Sequence, residues 1–264
     1  MLNDQVKDIW NTNAEFWDSK MGEGNAFHKT LIEPTQLKLL NIQPGDKILD
    51  IACGNGQFAR KMAELGAKVT AVDFSDKFIA IAKSKSKGNI HYRVIDATSE
   101  TDLAKLDGTV FDSVVCTMAL MDMENIEVLV NHLPKLLEKD GIMVFSVMHP
   151  CFNSGEIMLV HEIDDMGGEL KSKYSVKISN YLVERSILGV GMAGQPKPQY
   201  YFHRPLSTIL KYFFANGFVL EALEEPSFIN IENSARIHDN VYKHIPPALV
   251  CGLRIFNKGA EKVY

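Results

Sequence analysis

The sequence predicts a doubly wound α/β fold, and three observations carry the prediction. From residue 47 to 148, short apolar runs alternate with stretches of helical period. The first three runs each end in an acid, Asp50, Asp73 and Asp96, each separated from the next by 23 positions. Gly54-Asn55-Gly56 follows the first run at once, as a tight strand-to-helix turn requires. Short apolar runs of this kind are strands buried on both faces, and their alternation with helices implies parallel pairing through right-handed crossovers.

The elements follow in order. Residues 4–20 read as a helix with Val6, Ile9, Trp10, Phe16 and Trp17 as its apolar members, and 28–40 as a second helix. Gln43-Pro44-Gly45-Asp46 is a turn. Strand one is 47–51, and its helix, about 56–65, ends at Gly66, where a left-handed residue is favoured. Strand two is 68–72. Ser75 caps the next helix, about 76–85. Strand three is 90–95, a short helix lies near 99–106, and strand four is 110–116. Ile126, Leu129, Val130, Leu133, Leu136 and Leu137 give 124–138 one apolar stripe, with Pro134 as a kink or restart. Asp140-Gly141 turns the chain into strand five, 142–148.

Beyond 149 the alternation stops. Residues 150–203 carry turn signals at Met166-Gly167-Gly168, Gly189-Val190-Gly191 and Gln195-Pro196-Lys197-Pro198, with strand-like alternation at Tyr174–Ile178 and around Tyr181–Leu188. Pro205 fits the first turn of a helix with Leu206, Ile209, Leu210, Phe213 and Phe214 on one face. Strands six and seven fall at 218–223 and 249–256. The expected organisation is N-terminal helices over 1–44, a sheet domain over 45–149 and 204–264, and an inserted lid over 150–203.

Bulk properties exclude several classes. With 264 residues, roughly 70–75% of the unfolded chain's surface can be buried. The core needs no metal or disulfide staple. Net charge is -5, which favours neither a nucleic-acid backbone nor an anionic membrane as partner. Cys53, Cys116, Cys151 and Cys251 are scattered with no C-x-x-C pair, as expected of free thiols in a reducing compartment. No signal peptide and no apolar run long enough to span a bilayer is evident, so a cytoplasmic protein is expected. His149-x-Cys151 lacks a second pair at ligand spacing, and no metal site is expected.

In an open parallel sheet, ligands bind at the carboxyl ends of the strands, where all three acids fall. Gly54 and Gly56 allow close backbone approach, and the following helix aims its N-terminus at the ligand. A carboxylate at Asp73 can accept both hydroxyls of a ribose, and one at Asp96 can accept from an adenine amino group. Asp50, four residues before the first glycine, repels a pyrophosphate but suits an ammonium or sulfonium. That distinguishes the site from a nicotinamide-dinucleotide site, which remains a distant alternative.

Ile48–Ala59, Val72-Asp73-Phe74-Ser75 and Ile95-Asp96-Ala97 together resemble the class I S-adenosylmethionine-dependent methyltransferases over about 45–148. The resemblance implies a Rossmann-like, seven-stranded sheet whose last strand is antiparallel, with S-adenosylmethionine as cofactor. It implies that Asp50, Ala52 and the Gly54-Asn55-Gly56 turn hold the methionine portion and Asp73 the ribose. Phe74 packs on the adenine, Asp96-Ala97 read its edge, and Thr117-Met118 pass close to the methyl group. Trp10, Phe16 and Trp17 are candidates to cover the site, against a plain core role. After strand four the chain reads Cys116-Thr117-Met118-Ala119-Leu120-Met121, with no Asn/Asp-Pro-Pro-aromatic motif, which argues against methylation of exocyclic amines in DNA. Val147–Phe152 and Tyr201–Ser207 resemble a small-molecule branch related to the ubiquinone/menaquinone type. The expected acceptor is therefore a small, partly apolar molecule. An RNA or protein methyltransferase and a non-catalytic cofactor-binding module are the alternatives. His149, Tyr201 and His203 are candidate bases or substrate contacts. The competing reading has His149 capping a strand end and His203-Arg204 packing the insertion.

Overall fold

The computed structural model describes residues 2–88, 90–153, 156–229 and 237–256. Helix α1 (Leu2–Met21) is followed by a wide π-type turn, His28–Ile32, and by α2 (Glu33–Leu40). The predicted single helix over 28–40 is thus two segments. Pro34 carries no N–H, and the Glu33 N–H reaches back to the His28 carbonyl, which widens the turn. Strands and helices then alternate: β1 (Lys47–Ile51), α3 (Gln57–Glu64), β2 (Lys68–Asp73), α4 (Asp76–Lys85), β3 (Ile90–Val94), α5 (Glu100–Leu103), β4 (Phe111–Thr117), α6 (Glu127–Leu136) and β5 (Leu137–Met148). Ser75 caps α4 by accepting from the Phe78 N–H at 3.1 Å. Pro134 sits inside α6, which ends two residues later.

β5 begins earlier than the apolar run suggests. Leu137 pairs with Phe111, the register then jumps so that Ile142 faces Ser113, and the extra residues bulge outward. Gly141 belongs to this bulge because a Cβ there would lie 2.9 Å from the Glu138 carbonyl oxygen.

The insertion is two antiparallel hairpins, β6 (Glu156–Asp164) with β7 (Lys171–Ser179), and β8 (Arg185–Gly189) with β9 (Gln199–His203). The alternation at Tyr174–Ile178 is part of β7. The one around Tyr181–Leu188 begins as a turn and becomes β8 only at Arg185. β6 has no counterpart in the sequence reading; only Ile157, Leu159 and Val160 of it are partly buried. Pro205 is the residue just before α7 (Leu206–Ala215), not part of its first turn. β10 (Phe218–Glu224), the short α8 (Ile237–Val241) and β11 (Ala248–Ile255) complete the described chain.

Among the described residues the main sheet has seven strands in the order β10-β11-β5-β4-β1-β2-β3. β11 runs antiparallel to both neighbours and the central pairs are parallel. The chain leaves β1 toward β2 and β3, then returns to place β4 on the other side of β1. The switch point therefore lies between β1 and β4, which fixes where a ligand crevice opens. One face of the sheet packs on α6 and α7 through Leu129, Leu133, Phe145 and Phe213. The other packs on α2, α3 and α4 through Leu40, Phe58, Met62 and Ile79. A third cluster ties Leu31 and Ile32 to Tyr242, with Leu159 and Val176 of the first hairpin against it.

Gly56, at the head of α3, has φ 75°, and a Cβ there would stand 2.5 Å from the Tyr92 hydroxyl and 2.9 Å from the Ala82 Cβ. Gly56→Ala combines left-handed strain with overpacking and is expected to cost about 2–4 kcal/mol. Urea unfolding at an unchanged slope measures this, and a loss under about 1 kcal/mol would refute the packing role.

Candidate active site

A cavity of about 650 Å³ opens at the carboxyl ends of β1 to β4. Its floor is the switch point, and its roof is α1 together with the 191–201 stretch of the second hairpin. α1 is anchored along its length. Asn3 donates to Asp96 at 2.8 Å, and Asn13 both donates to the Lys197 carbonyl at 2.8 Å and accepts from its N–H at 2.9 Å. Asp18 accepts from Asn55 at 2.9 Å. Trp10 lies 5.3 Å from Trp17 and 6.2 Å from Phe78, ring centre to ring centre.

The floor is built from the three acids, each in a different state. Asp50, at the end of β1, is 1% exposed, and neither carboxylate oxygen has a hydrogen-bond partner. Burial, with Asp73 nearby, pushes its pKa up to about 8. Asp73 is equally enclosed, but its oxygens accept the Gly54 and Ser75 N–H groups, both at 2.9 Å. Burial raises its pKa to about 6, against those two bonds. Asp96 accepts from Thr98 as well as Asn3, which fixes its orientation. Ala52 and Met118 line the cavity with positive φ, 56° and 52°. Such backbone costs about 1–3 kcal/mol per residue and concentrates at functional sites. The Met118 N–H is held by the Ser146 carbonyl and hydroxyl, both at 3.0 Å.

Trp17, Asp50, Ala52, Gly54, Asn55, Asp73, Phe74, Asp96, Ala97, Thr117, Met118 and Tyr201 all line this cavity. Gly56 does not; it serves the packing of α3. His149 and His203 do not line it either, and their contacts match the capping and packing roles that were the competing reading. His149 is 2% exposed, contacts Glu225 through Nε2 at 2.8 Å and accepts the Cys151 N–H at Nδ1. His203 Nε2 meets the Tyr181 carbonyl at 2.7 Å. His149 thus links the end of β5 to Glu225 beyond β10, and His203 makes its bond within the insertion. Tyr201 remains, and burial, with the Asp122 carboxylate nearby, pushes its phenol well up, so it is a hydrogen-bond donor at neutral pH and not a base.

Asn3, His28, Asp122 and Gln199 line the cavity and have no part in the sequence reading. Asn3 falls on the α1 face shared by Val6, Trp10 and Trp17, a spacing that offered a signal. Asp122 stands alone between Met121 and Met123 immediately beyond the apolar strand-four exit. Gln199 shows only as one polar residue in a turn-rich stretch. His28 Nδ1 lies 3.7 Å from Glu33, and burial lowers its pKa, so the ring is neutral.

The comparisons bear on this geometry. Residues 49–145 match the family model described as a methyltransferase domain. An uncharacterized protein of Haemophilus influenzae is 27% identical over 248 residues, covering 88% of this chain and 90% of that one. The ubiquinone biosynthesis O-methyltransferase of Coxiella burnetii is 28% identical over 147 residues, 53% of this chain. That match spans 60% of the Coxiella enzyme. An S-adenosylmethionine-dependent methyltransferase from Mesorhizobium loti superposes with a TM-score of 0.66 at 24% identity, over 84% of this chain and 96% of that one.

Residues 49–145 are a methyltransferase domain, and the chain is an S-adenosylmethionine-dependent methyltransferase with the class I fold.

Its cofactor is S-adenosylmethionine, and the cavity floor of this methyltransferase fits it on structural grounds. The orphaned Asp50 carboxylate calls for a cationic or N–H-bearing group. No atom lies within 4 Å of where a Cβ on Gly54 would stand, which leaves open space at the turn. When bound, the cofactor supplies an electrophilic methyl group on a sulfonium.

The raised Asp50 pKa has a consequence for the free protein. Between the ordinary value of 3.8 and about 8 the folded chain holds a proton that the unfolded chain has released. Stability is therefore fully present below the lower value and is lost as pH rises through the upper one. Asp50→Asn removes this share. Between pH 5 and pH 8 the melting temperature of the free wild type is expected to fall several degrees relative to Asp50→Asn, at about 2–4 °C per kcal/mol. Parallel pH profiles in a thermal-shift series would rule this out.

Proposed function

We propose that this methyltransferase transfers its methyl group to a small, largely apolar acceptor enclosed between the β4 exit and the second hairpin. One observation carries the reading. The cavity that holds the acid-lined floor is also lined by Met118, Met121, Met123, Met148 and Met192, with residues of α1 and of the second hairpin among its walls. Flexible, polarisable methionines accommodate an apolar body, and a roofed chamber suits a small molecule better than a chain or duplex. Similarity to a ubiquinone biosynthesis O-methyltransferase supports the same class of acceptor.

In this reading Asp50 and the Gly54-Asn55 backbone hold the amino-acid end of the donor, Asp73 the ribose, and Phe74, Asp96 and Ala97 the adenine. Trp17 closes the roof above, and Thr117 and Met118 border the reacting centre. Thr117 is fixed for this by donating to Gln36 at 3.1 Å. The chain's own contribution is alignment and the exclusion of water. Holding two reactants in line is worth up to about 7–11 kcal/mol of barrier. With His149 and His203 outside the cavity and Tyr201 protonated, the histidines that line it are His28 and His238.

Calorimetric titration tests the donor half. Both S-adenosylmethionine and S-adenosylhomocysteine are expected to bind, in the ~1 μM to ~1 mM range usual for enzyme substrates. Folded protein that binds neither would overturn the proposal. Release of S-adenosylhomocysteine across a panel of small aromatic and aliphatic acceptors tests the other half. Turnover only with RNA or protein would contradict it.

A further inference from the structure

The acceptor chamber shows a charge asymmetry. Among the described residues, the cavity lining contains Asp18, Asp50, Asp73, Asp96 and Asp122 but no lysine or arginine. Three of these carboxylates are already engaged. Asp18 is paired with Lys85 and Asn55, Asp73 accepts two backbone N–H groups, and Asp96 accepts from Asn3 and Thr98. Asp50 has no partner but belongs to the donor half. Asp122 remains, and its Oδ1 is buried with no hydrogen-bond partner.

Asp122 is held in place by a frame that leaves this oxygen free. It follows β4 in a single helical turn, Leu120–Asp122. Gln199 of β9, itself 2% exposed, hydrogen-bonds the carboxylate. Arg204, just beyond β9, is spent on the backbone of the same turn. Its guanidinium donates to the carbonyls of Met123 at 2.8 Å, Glu124 at 2.6 Å and Leu120 at 3.4 Å. The turn is thus clamped while one oxygen of the acid at its end, Oδ1, is left without a donor. Tyr201, two residues after Gln199, lines the same wall.

We infer that Asp122, framed by Gln199 and Arg204, is the acceptor anchor of this cavity and that it selects an apolar molecule carrying a cationic amine. This rests on the proposed function above and names its substrate class. A buried acceptor oxygen left without a donor is costly, so a purely apolar ligand that covers it gains little. An anionic ligand meets an acid-lined cavity with no lysine or arginine to offset it. Burial pushes the Asp122 carboxyl up, and a protonated nitrogen supplies both the missing donor and the positive charge that favours its ionised form, while the methionine wall takes the rest of the molecule.

The test uses the full-length protein saturated with S-adenosylhomocysteine and titrated at neutral pH with benzylamine, benzyl alcohol and benzoate. Benzylamine is expected to bind about tenfold or more tighter than either of the others, the range for one hydrogen bond to a charged group. Asp122→Asn is expected to bring benzylamine down to the level of benzyl alcohol while S-adenosylhomocysteine affinity stays within about threefold. The inference is overturned if benzoate or benzyl alcohol equals benzylamine, if Asp122→Asn keeps the preference, or if benzylamine does not bind at millimolar concentration. The wild-type ranking decides the matter alone if the variant fails to fold. Failure of S-adenosylhomocysteine to bind wild type would sink the underlying reading. Its binding without an amine preference sinks only the anchor.

Discussion

The structure depends on a buried carboxylate that the protein leaves unpaired. Asp50 ends the central strand β1, enclosed by the pairing of β1 with β2 and β4, and its two oxygens have no donor. An ionised group in such a place is disfavoured by desolvation unless something positive arrives. The surrounding design keeps the chain itself from satisfying it. The next turn gives the Gly54 N–H to Asp73 and not to Asp50. Ala52 turns away in a left-handed conformation between them. In our proposal this deficit is the binding energy reserved for the cationic end of the donor. It resembles the logic by which enzymes hold a perturbed group at the point of need.

The roof is the second constraint, and it is shared. α1 reaches over the ends of β1, β2 and β3 and touches the site at Asp96, Asn55 and the Trp17–Trp10 pair. The second hairpin meets α1 through the reciprocal Asn13–Lys197 bonds. It packs so tightly that a Cβ on Gly191 would lie 2.6 Å from the Tyr201 hydroxyl and 2.8 Å from the Trp17 ring. The same hairpin carries Gln199 and, at its end, Arg204, which fix the β4-exit turn. In our proposal, donor and acceptor halves are therefore closed by one assembly, and a change in how the insertion sits reaches both.

Most of the donor half was legible because it rests on local rules. Each strand ends where its apolar run ends, so Asp50, Asp73 and Asp96 could be placed at one sheet edge from spacing alone. Ser75 and Gly66 announced their helix ends. The acceptor half was not legible for a physical reason. Its residues come from segments whose contacts are long-range, with Gln199 and Tyr201 on β9 meeting Asp122 after β4 only through tertiary packing. Histidines at a strand end looked like bases because sequence carries no record of their partners. His149 is instead occupied by Glu225 and the Cys151 N–H, and His203 by the Tyr181 carbonyl. Asp122 lay one residue beyond the apolar stretch that drew attention, and a lone acid among methionines was the signal to follow. β6 gave little signal because it is only partly buried, through Ile157, Leu159 and Val160.

The central claim is that Asp50 is kept protonated and unpaired until a cationic ligand ionises it. Calorimetric titration of S-adenosylhomocysteine at pH 7, repeated in buffers of different ionisation heat, counts the protons exchanged on binding. With the pKa of Asp50 at about 8 in the free protein, close to one proton should be released per ligand bound, and Asp50→Asn should abolish that release. Binding of the wild type with no proton release, or with the same release as Asp50→Asn, would contradict the account.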